Sequence, residues 1–369
     1  MRRLRVSSRN FDYEVVVGRG SWRGLRRLTG YSSRFVLTER RIWERWGKHF
    51  VRESRVAPPA PLFIPTGEQS KSLRIVEGLA RQLAERGADR GSLLVVLGGG
   101  VAGDVGGFVA STFMRGIDCV EVPTTVVAQV DSAIGGKTAV NVGAMKNLVG
   151  TFYPPRLVLA DPSVLVSLDA RTFRSGLYEV VKHAILDGPE FFAQLEKCLP
   201  DLRPVPHGRR VRPGQGRVLE SIIERAARVK VSVVSRDERE AGLRRVLNLG
   251  HTFGHALEEA SAYRGFLHGE AVAWGLLAVT RLAELLGRLA PGQGERIARL
   301  VRRVGPLPPV RHISSRTILK LLPRDKKAVG GQIHWVIPER IGKVRIVNDV
   351  PLAAAARAWD DVRRGGWHE

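Results

Sequence analysis

The chain has 369 residues, of which 44% are hydrophobic and 26% charged, a globular composition with room for two domains. Its formal net charge of +23 comes from basic residues spread along the sequence, so we interpret it as a solvated basic surface and expect no nucleic-acid partner. Two cysteines without CxxC spacing argue against a disulfide framework and a cysteine-type zinc site.

The sequence has no run of about 18 apolar residues, which a membrane-spanning helix would need, so no membrane span is predicted. The basic N-terminal segment, MRRLRVSSRNFDYEVV, is not followed by the apolar stretch of a signal peptide. We therefore expect a cytoplasmic protein with no membrane anchor.

The first 160 residues alternate short apolar runs with helical patterns. A helical pattern at 70–86 separates the third and fourth of these runs. Strands that alternate with helices predict an α/β domain with a mostly parallel sheet. The strands are predicted at 13–17, 35–38, 62–65, 93–97, 119–122 and 157–160.

Helical periodicity dominates from residue 161 to the end of the chain. One short β-like pair, at 333–337 and 343–347, interrupts it. The sequence thus predicts an α/β domain over 1–160 and a mainly α-helical domain over 161–369. The helices are predicted at 173–186, 218–236, 251–262, 270–286 and 295–304.

A glycine-rich turn directly follows the strand predicted at 93–97. It reads Gly98-Gly99-Gly100-Val101-Ala102-Gly103-Asp104, and we expect the next helix to begin near Gly103. Glycines let the backbone approach a ligand closely, and the free amides at a helix start favour a phosphate. Because the spacing is not the GxGxxG fingerprint, a tight strand-to-helix connection is an equal alternative.

Two further turns follow strands of the same predicted sheet. One contains Gly67, Glu68 and Lys71, and the other contains Thr124 and Thr125. The carboxyl ends of parallel strands lie along one edge, where open α/β sheets bind ligands. Three such turns together predict a ligand site at that edge.

Charged residues and glycines are combined in the segment after these turns. Asp131 and Lys137 flank Gly135-Gly136, and Lys146-Asn147 follows shortly. A lysine beside glycines can contact a phosphate or an oxyanion as a point charge. For Lys146 alone, a surface lysine in a flexible loop is the better interpretation.

Three histidines and a glutamate indicate a metal site. His251 and His255 are four apart and share a helical face, while His268 opens another apolar helix. A lone histidine is more often structural, but three within eighteen positions favour a metal. Catalytic zinc takes about three His or Glu ligands, so Glu179 and two of the three histidines would suffice; the spacing leaves open which two.

Several cations occur near these segments. Lys182 lies three residues after Glu179 on the same helical face, and Lys230, Arg244 and Lys326 come later. Converging on the metal, they would suit a substrate with several negative charges. Lys230, like Arg236 and Arg239 after it, could equally lie on the solvated face of a helix, which is the safer interpretation for any one of these three taken alone.

Six stretches of the chain resemble the 3-dehydroquinate synthase family of the sugar-phosphate cyclases. They occur in the family's order and span about residues 66 to 338. These stretches are GGGVAGDVGGFVASTFMRG, VPTTVVAQVDSAIGGKTAVNVGAMKNLVG, GLYEVVKHAIL, LRRVLNLGHTFGHALE, LHGEAVAWGL and DKKAVGGQIHWVIP.

The resemblance implies a Rossmann-like NAD-binding domain followed by a metal-binding helical domain, and a role for individual residues. The implied ligands of zinc or cobalt are Glu179, His251 and His268. The implied NAD contacts are Gly67, Glu68, Lys71, Gly99, Gly100, Val101, Gly103, Asp104, Thr124, Thr125, Lys137, Lys146, Asn147 and Ser167. The implied substrate-facing residues are Asp131, Lys137, Lys182, Lys230, Arg244, Asn248, His255 and Lys326, with Arg115 reaching the substrate phosphate across a homodimer interface.

The reaction implied by the resemblance consumes 3-deoxy-D-arabino-heptulosonate 7-phosphate. NAD transiently oxidises it, phosphate is eliminated, the hydride returns, and an intramolecular aldol step closes the ring of 3-dehydroquinate. His255 is the implied proton-transfer group. The alternatives are a cyclase that forms a valiolone, an inosose or an amino analogue, and a metal-dependent polyol dehydrogenase.

Two segments depart from the family pattern. Thr38-Glu39-Arg40-Arg41 replaces the usual Asp and Asn at the adenosine ribose, and Leu168-Asp169-Ala170-Arg171-Thr172 replaces the usual LPxRE. The first departure leaves the contacts at the adenosine end of NAD open.

Overall fold

The structure, a computed structural model, describes residues 1–58, 60–143, 145–202, 214–322, 333–365 and 367. The chain forms two compact units, residues 1–168 with 204–239 and residues 169–203 with 240–369. The first unit therefore extends past residue 160 and takes in a later segment. That 1–160 and 161–369 are separate domains stays a prediction.

A seven-stranded sheet is the centre of the first unit. Its order is β1-β2-β9-β6-β5-β3-β4, with β1 antiparallel to β2 and every other neighbouring pair parallel. This confirms the α/β fold and every strand predicted in this part of the chain. The strands are β1 Arg2–Ser7, β2 Asp12–Val17, β3 Arg34–Glu39, β4 Leu62–Ile64, β5 Leu93–Gly98, β6 Asp118–Pro123 and β9 Leu157–Ala160.

Both faces of this sheet are buried, which is why its central strands have continuous apolar sequences. On β5, Leu94 and Val96 pack into one core cluster, and Leu93, Val95 and Leu97 pack into another. The helices of the unit are α1 Arg40–Ser54, α2 Leu73–Glu85, α3 Gly100–Thr112 and α6 Gln215–Arg236.

Strand β1, helix α1 and a two-stranded hairpin of the first unit were not predicted. Strand β1 buries only Leu4 and Val6, because the strand lies at the sheet edge. Helix α1 is rich in arginine and has few buried side chains. A separate antiparallel hairpin forms from β7 Lys137–Val142 and β8 Met145–Phe152.

The second unit consists mostly of helices, as predicted. Helix α8 is buried along nearly its whole length and packs against α4, α7, α9 and α11, while β10 and β11 pair as an antiparallel hairpin. The elements are α4 Ala170–Asp187, α5 Pro189–Cys198, α7 His251–Ala260, α8 His268–Leu285, α9 Pro291–Val304, α10 Ser315–Leu321, β10 Trp335–Arg340, β11 Lys343–Val347 and α11 Leu352–Arg364.

Aromatic side chains fill the core of the second unit. The Phe253 ring lies 5.3 Å from that of Trp335 and stacks on that of Trp359 at 6.2 Å. The indole of Trp359 donates to the Ile313 carbonyl at 2.9 Å. Among the described helices, none combines the length and the apolar character needed to cross a membrane.

Candidate active site

The glycine-rich turn lies between β5 and α3. Helix α3 begins at Gly100, so the expected start near Gly103 was three residues too late. The N-cap residue Gly99 provides no side-chain cap, and no acidic residue lies in the first turn. The first amides of this 13-residue helix therefore suit an anionic group such as a phosphate.

Side chains pack closely against the glycines of this turn. A Cβ added at Gly99 would lie 3.0 Å from Thr125 Cγ2, and one at Gly100 would lie 3.0 Å from Ser132 Oγ. Thr124 donates its amide to the Gly98 carbonyl at 2.8 Å. The turn at Thr124 and Thr125 thus lies beside the glycine turn, as the parallel order of β5 and β6 requires.

A polar network connects four predicted cofactor residues, Glu68, Lys71, Asp104 and Asn147. Buried Lys71 donates to the Asp104 carboxylate and to the Asn147 side-chain oxygen. Asn141, which the sequence analysis did not single out, accepts from the Asn147 amide at 2.8 Å and donates to Glu68 at 2.9 Å. The turn after β4, the start of α3 and the β7–β8 hairpin therefore meet at one polar cluster.

Glu121 is a buried acid that the sequence analysis missed. It lies within β6, and a Cβ added at Gly103 of α3 would be 3.1 Å from its Oε2. Burial, together with the nearby charge of Asp104, raises the pKa of Glu121 from 4.5 to about 8. Glu121 is thus a protonated carboxyl group at neutral pH.

Replacing Glu121 with glutamine is expected to stabilise the protein at alkaline pH. The folded state retains a proton that the unfolded chain releases, so stability falls as pH rises from 4.5 to about 8. The shift corresponds to at most ~5 kcal/mol above that range. Urea unfolding at pH 5 and pH 9 measures this contribution to the free energy of unfolding. E121Q should be more stable than the unmodified chain only at pH 9, and E77Q, at an exposed position, should be more stable at neither pH. An equal gain in stability for E121Q at both pH values would contradict the raised pKa of Glu121.

The remaining predicted cofactor residues are more dispersed. Lys137 begins β7 and is exposed, and Lys146 lies half-buried on β8. Ser167 donates to the Val164 carbonyl at 2.7 Å and accepts from the Trp46 indole at 3.1 Å. The cofactor roles of Lys137, Lys146 and Ser167 stay predictions.

The segment Thr38-Glu39-Arg40-Arg41, which departs from the family pattern at the end of β3, contains an ion pair between Glu39 and Arg41. The Glu39 side chain is 6% exposed, and its Oε2 lies 3.0 Å from the Arg41 Nε, whereas the Arg41 side chain is 68% exposed. The backbone of β3 pairs with β5 up to Leu97, so this pair lies one strand from the glycine turn.

Two of the predicted substrate residues pair within the first unit. Lys230 on α6 donates to the Asp131 carboxylate in the turn formed by Ala128–Ser132.

Arg115 is exposed, and both it and Met114 have left-handed backbone angles, with φ of 67° and 50°. Backbone strain of this kind in non-glycine residues is often associated with functional sites.

Three side chains of the second unit converge to form a candidate metal centre. The donor atoms of Glu179, His251 and His268 all lie within 4.8 Å of one another. Glu179 Oε1 is 3.8 Å from His251 Nε2 and 3.3 Å from His268 Nε2. The fold therefore selects His251 and His268, the choice that the helical spacing left open.

Separate helices hold the three donors. Glu179 lies in the buried middle of α4, and His251 and His268 begin α7 and α8. At the start of α8, Glu270 accepts from the Leu267 amide at 2.8 Å and pairs with Arg171 Nε at 2.7 Å. These contacts fix the backbone that carries His268.

The donor set fits zinc or cobalt, because two imidazoles and one carboxylate leave a coordination position open. The local charge fits as well. Although partial burial opposes protonation, Glu258 and Glu179 raise the pKa of the His268 imidazole to about 10. The same negative field would favour a divalent cation.

Lys182 and His255 lie on helices that carry ligands, and Arg244 lies on the short helix Leu243–Asn248 that precedes α7. Lys182 Nζ is 2.6 Å from Glu179 Oε2, and both side chains are fully buried. The His255 ring centroid lies 5.4 Å from that of His251, one helical turn earlier. Arg244 is 2% exposed.

Asn248 and Lys326 complete the predicted set. The side-chain Nδ2 of Asn248 donates to Glu240 Oε1 at 2.6 Å, and Glu240 is a partner that the sequence analysis missed. Lys326 lies outside the described residues.

The sequence matches two family descriptions. They are 3-dehydroquinate synthase N-terminal, over residues 61–175, and 3-dehydroquinate synthase C-terminal, over residues 176–328. The 3-dehydroquinate synthase of Koribacter versatilis (strain Ellin345) is 41% identical over 371 residues, which is 98% of each chain.

Two solved cyclase structures are similar to the whole chain. The 2-epi-5-epi-valiolone synthase of Streptomyces hygroscopicus subsp. jinggangensis 5008, with NAD+ and Zn2+ bound, is 28% identical, with a TM-score of 0.82 over 95% of this chain and 97% of that one. A 2-deoxy-scyllo-inosose synthase complexed with carbaglucose-6-phosphate, NAD+ and Co2+ has a TM-score of 0.84 over 99% of this chain and 100% of that one; at 24% identity it shows the shared fold.

Proposed function

The chain belongs to the 3-dehydroquinate synthase family, and from this premise we propose that it converts 3-deoxy-D-arabino-heptulosonate 7-phosphate into 3-dehydroquinate and phosphate. The role is the second step of the shikimate pathway, which leads to the aromatic amino acids. The observation that carries the proposal is the convergence of Glu179, His251 and His268 within 4.8 Å in a chain with these matches.

The first unit would hold NAD. The amides at the start of α3 would bind the pyrophosphate, with Gly99 and Gly100 allowing close approach. Lys71 and Asp104 hold the neighbouring turns together beside it. When bound, NAD supplies a hydride acceptor that is regenerated within one turnover, and the metal polarises a substrate hydroxyl.

The second unit would hold zinc or cobalt through Glu179, His251 and His268. Lys182 and Arg244 are buried cations on the elements that carry these ligands or adjoin them, and they suit an anionic substrate. His255 would move the proton of the substrate hydroxyl, because it lies one turn beyond His251 and is absent from the three-donor group among the described residues.

The pair of Lys230 and Asp131 would contact the substrate, as the resemblance to the family implies. The carboxylate of Asp131 stabilises the charge of Lys230, and a lysine so held can act as a point charge toward an anionic group. Lys137, which follows Asp131 in the sequence, would add a second cation.

Another sugar-phosphate cyclase is the main alternative. The solved valiolone and inosose synthases share the fold, so the fold does not separate the substrates. The substrate-facing cations favour a substrate that bears a carboxylate as well as a phosphate. A polyol dehydrogenase, the other alternative, would release NADH stoichiometrically.

We include a homodimer and a cytoplasmic location in the proposal. Exposed apolar side chains on β8, namely Met145, Leu148, Val149 and Phe152, form a surface that a second copy would cover. Arg115, at the strained turn after α3, would then reach the partner's substrate phosphate. Sedimentation of the purified protein would report the assembly.

One assay tests the reaction. Purified protein receives the heptulosonate phosphate, catalytic NAD and zinc, and inorganic phosphate, dehydroquinate and NADH are followed together. We expect equimolar phosphate and dehydroquinate without net NADH. Absence of phosphate release, or steady accumulation of NADH, would refute the cyclase.

A further inference from the structure

A second carboxylate lies behind the most exposed histidine of the metal group. Glu258 Oε2 is 3.4 Å from His268 Nδ1, and Glu179 Oε1 is 3.3 Å from Nε2 of the same ring. The imidazole of His268 therefore lies between two acids. The Glu258 side chain is only 9% exposed, so solvent screens this interaction weakly.

We propose that Glu258 is a positioning residue, which orients His268 and increases its basicity toward a divalent metal. The inference rests on the metal site of the proposed function. A neutral imidazole carries one N–H donor and one lone pair. With Nδ1–H donated to Glu258, the lone pair is on Nε2, on the side of Glu179 where the metal donors converge.

His268 has the greatest need of such a partner. Its side chain is 39% exposed, against 10% for His251 and 0% for Glu179. The contacts that Glu270 and Ser175 make with the first turn of α8 fix its backbone and leave the ring free to rotate. Metal binding stops this rotation and therefore costs conformational entropy. A partner at Nδ1 restricts the ring before the metal binds, so that less entropy is lost in the binding step.

The Nδ1 atom of His251 has a different kind of partner. Its Nδ1 is 3.2 Å from the carbonyl oxygen of Leu249, two residues earlier in the chain. A neutral carbonyl fixes the ring and adds little negative charge. The carboxylate at His268 both fixes the ring and strengthens it as a donor, so the two histidines are expected to contribute unequally to metal affinity.

Helix α7 supplies both a ligand and the orienting acid. His251, His255 and Glu258 are spaced by four and by three residues, which places them on one face of the helix. Glu258 contacts the ring nitrogen that faces away from Glu179. Among the described residues the group of three possible ligands excludes it, so its effect is on affinity and not on the number of protein ligands.

The adjacent Glu259 provides a matched control. It has the same charge on the same helix, but it is rotated by about 100° from Glu258 and is half-buried. Glu258→Gln keeps the shape and one acceptor oxygen and removes the charge. Glu258→Ala removes both the charge and the acceptor.

The test measures zinc affinity of the full chain by competition with a chelator, together with the visible spectrum of the cobalt-loaded protein. Substitution of a group behind a metal ligand typically weakens binding 10–100-fold. We expect about a 10-fold loss for Glu258→Gln, about 100-fold for Glu258→Ala and none for Glu259→Gln. The cobalt bands should change only in the Glu258 variants, and the melting temperature of the metal-free Glu258→Gln protein should stay that of the unmodified chain.

Two results separate this inference from the proposed function. Unmodified affinity and cobalt spectrum in both Glu258 variants would overturn the role of Glu258 and leave the metal site intact. Failure of the unmodified protein to bind zinc or cobalt would overturn the metal site itself. If Glu258→Ala does not fold, the isosteric Glu258→Gln carries the test alone.

Discussion

Replacing His268 with alanine is expected to remove the metal and nearly all activity while the fold survives. One of three donors is lost, so zinc affinity should fall by more than ~100-fold, the upper end of what removal of a group behind a ligand costs. The fold should survive because the His268 side chain is 39% exposed and the contacts of Glu270 hold the start of α8 through the backbone and Arg171.

The measurements are metal content after dialysis, phosphate release and the melting temperature of the metal-free protein. Two other histidines serve as controls. H255A should keep its metal and lose activity, since His255 lies outside the three-donor group, and exposed H312A should keep both. Full metal retention by H268A would refute the ligand assignment.

Replacing Gly275 with alanine is expected to destabilise the second unit and the metal centre together. A Cβ at Gly275 would overlap the Gly250 carbonyl and lie 3.0 Å from the Gly254 amide nitrogen. These atoms belong to the backbone and cannot rotate away, so α7 and α8 must separate. Overpacking typically costs ~1–3 kcal/mol, and we expect about 3 kcal/mol here.

The loss of metal affinity should accompany the loss of stability, because Gly250 directly precedes His251. Urea unfolding and zinc titration measure the two effects. The control is G78A in the interior of α2, where a Cβ meets no atom within 4 Å; it should gain ~0.5–1 kcal/mol. Equal midpoints for G275A and the unmodified chain would show that the two helices can separate without cost.

Apolar patterning predicted the elements that are buried on both sides. The central strands of the main sheet, such as β5, are short continuous apolar runs, and helices such as α4 and α8 repeat apolar residues at the helical period. Elements that bury little surface, such as β1 and the arginine-rich α1, do not carry that signal. Helix α3 begins earlier than expected because Gly99 serves as its N-cap and Gly100 is already helical.

Some residues of the site have no local signal at all. Asn141, Glu121, Glu240 and Glu258 are ordinary polar residues in the sequence, and only their neighbours in space give them a role. Those neighbours come from other elements or from other turns of the chain. Pairings of this kind follow from packing, which no short window of sequence contains.

The sequence by itself determined the fold class, the family and the candidates for the metal group, because periodicity, turn glycines and ordered motifs are local properties of the chain. Helical spacing left open which two histidines join Glu179, and the family resemblance implied His251 and His268. Among the described residues, the tertiary structure brings the donor atoms of those two to Glu179. That choice depends on how closely α7 crosses α8, which Gly250 and Gly275 permit by backbone contact. Gly250 and Gly275, which are 25 positions apart, must pack against each other before the two imidazoles can face the Glu179 carboxylate. The residue spacing within a single helix carries no information about such a contact between helices.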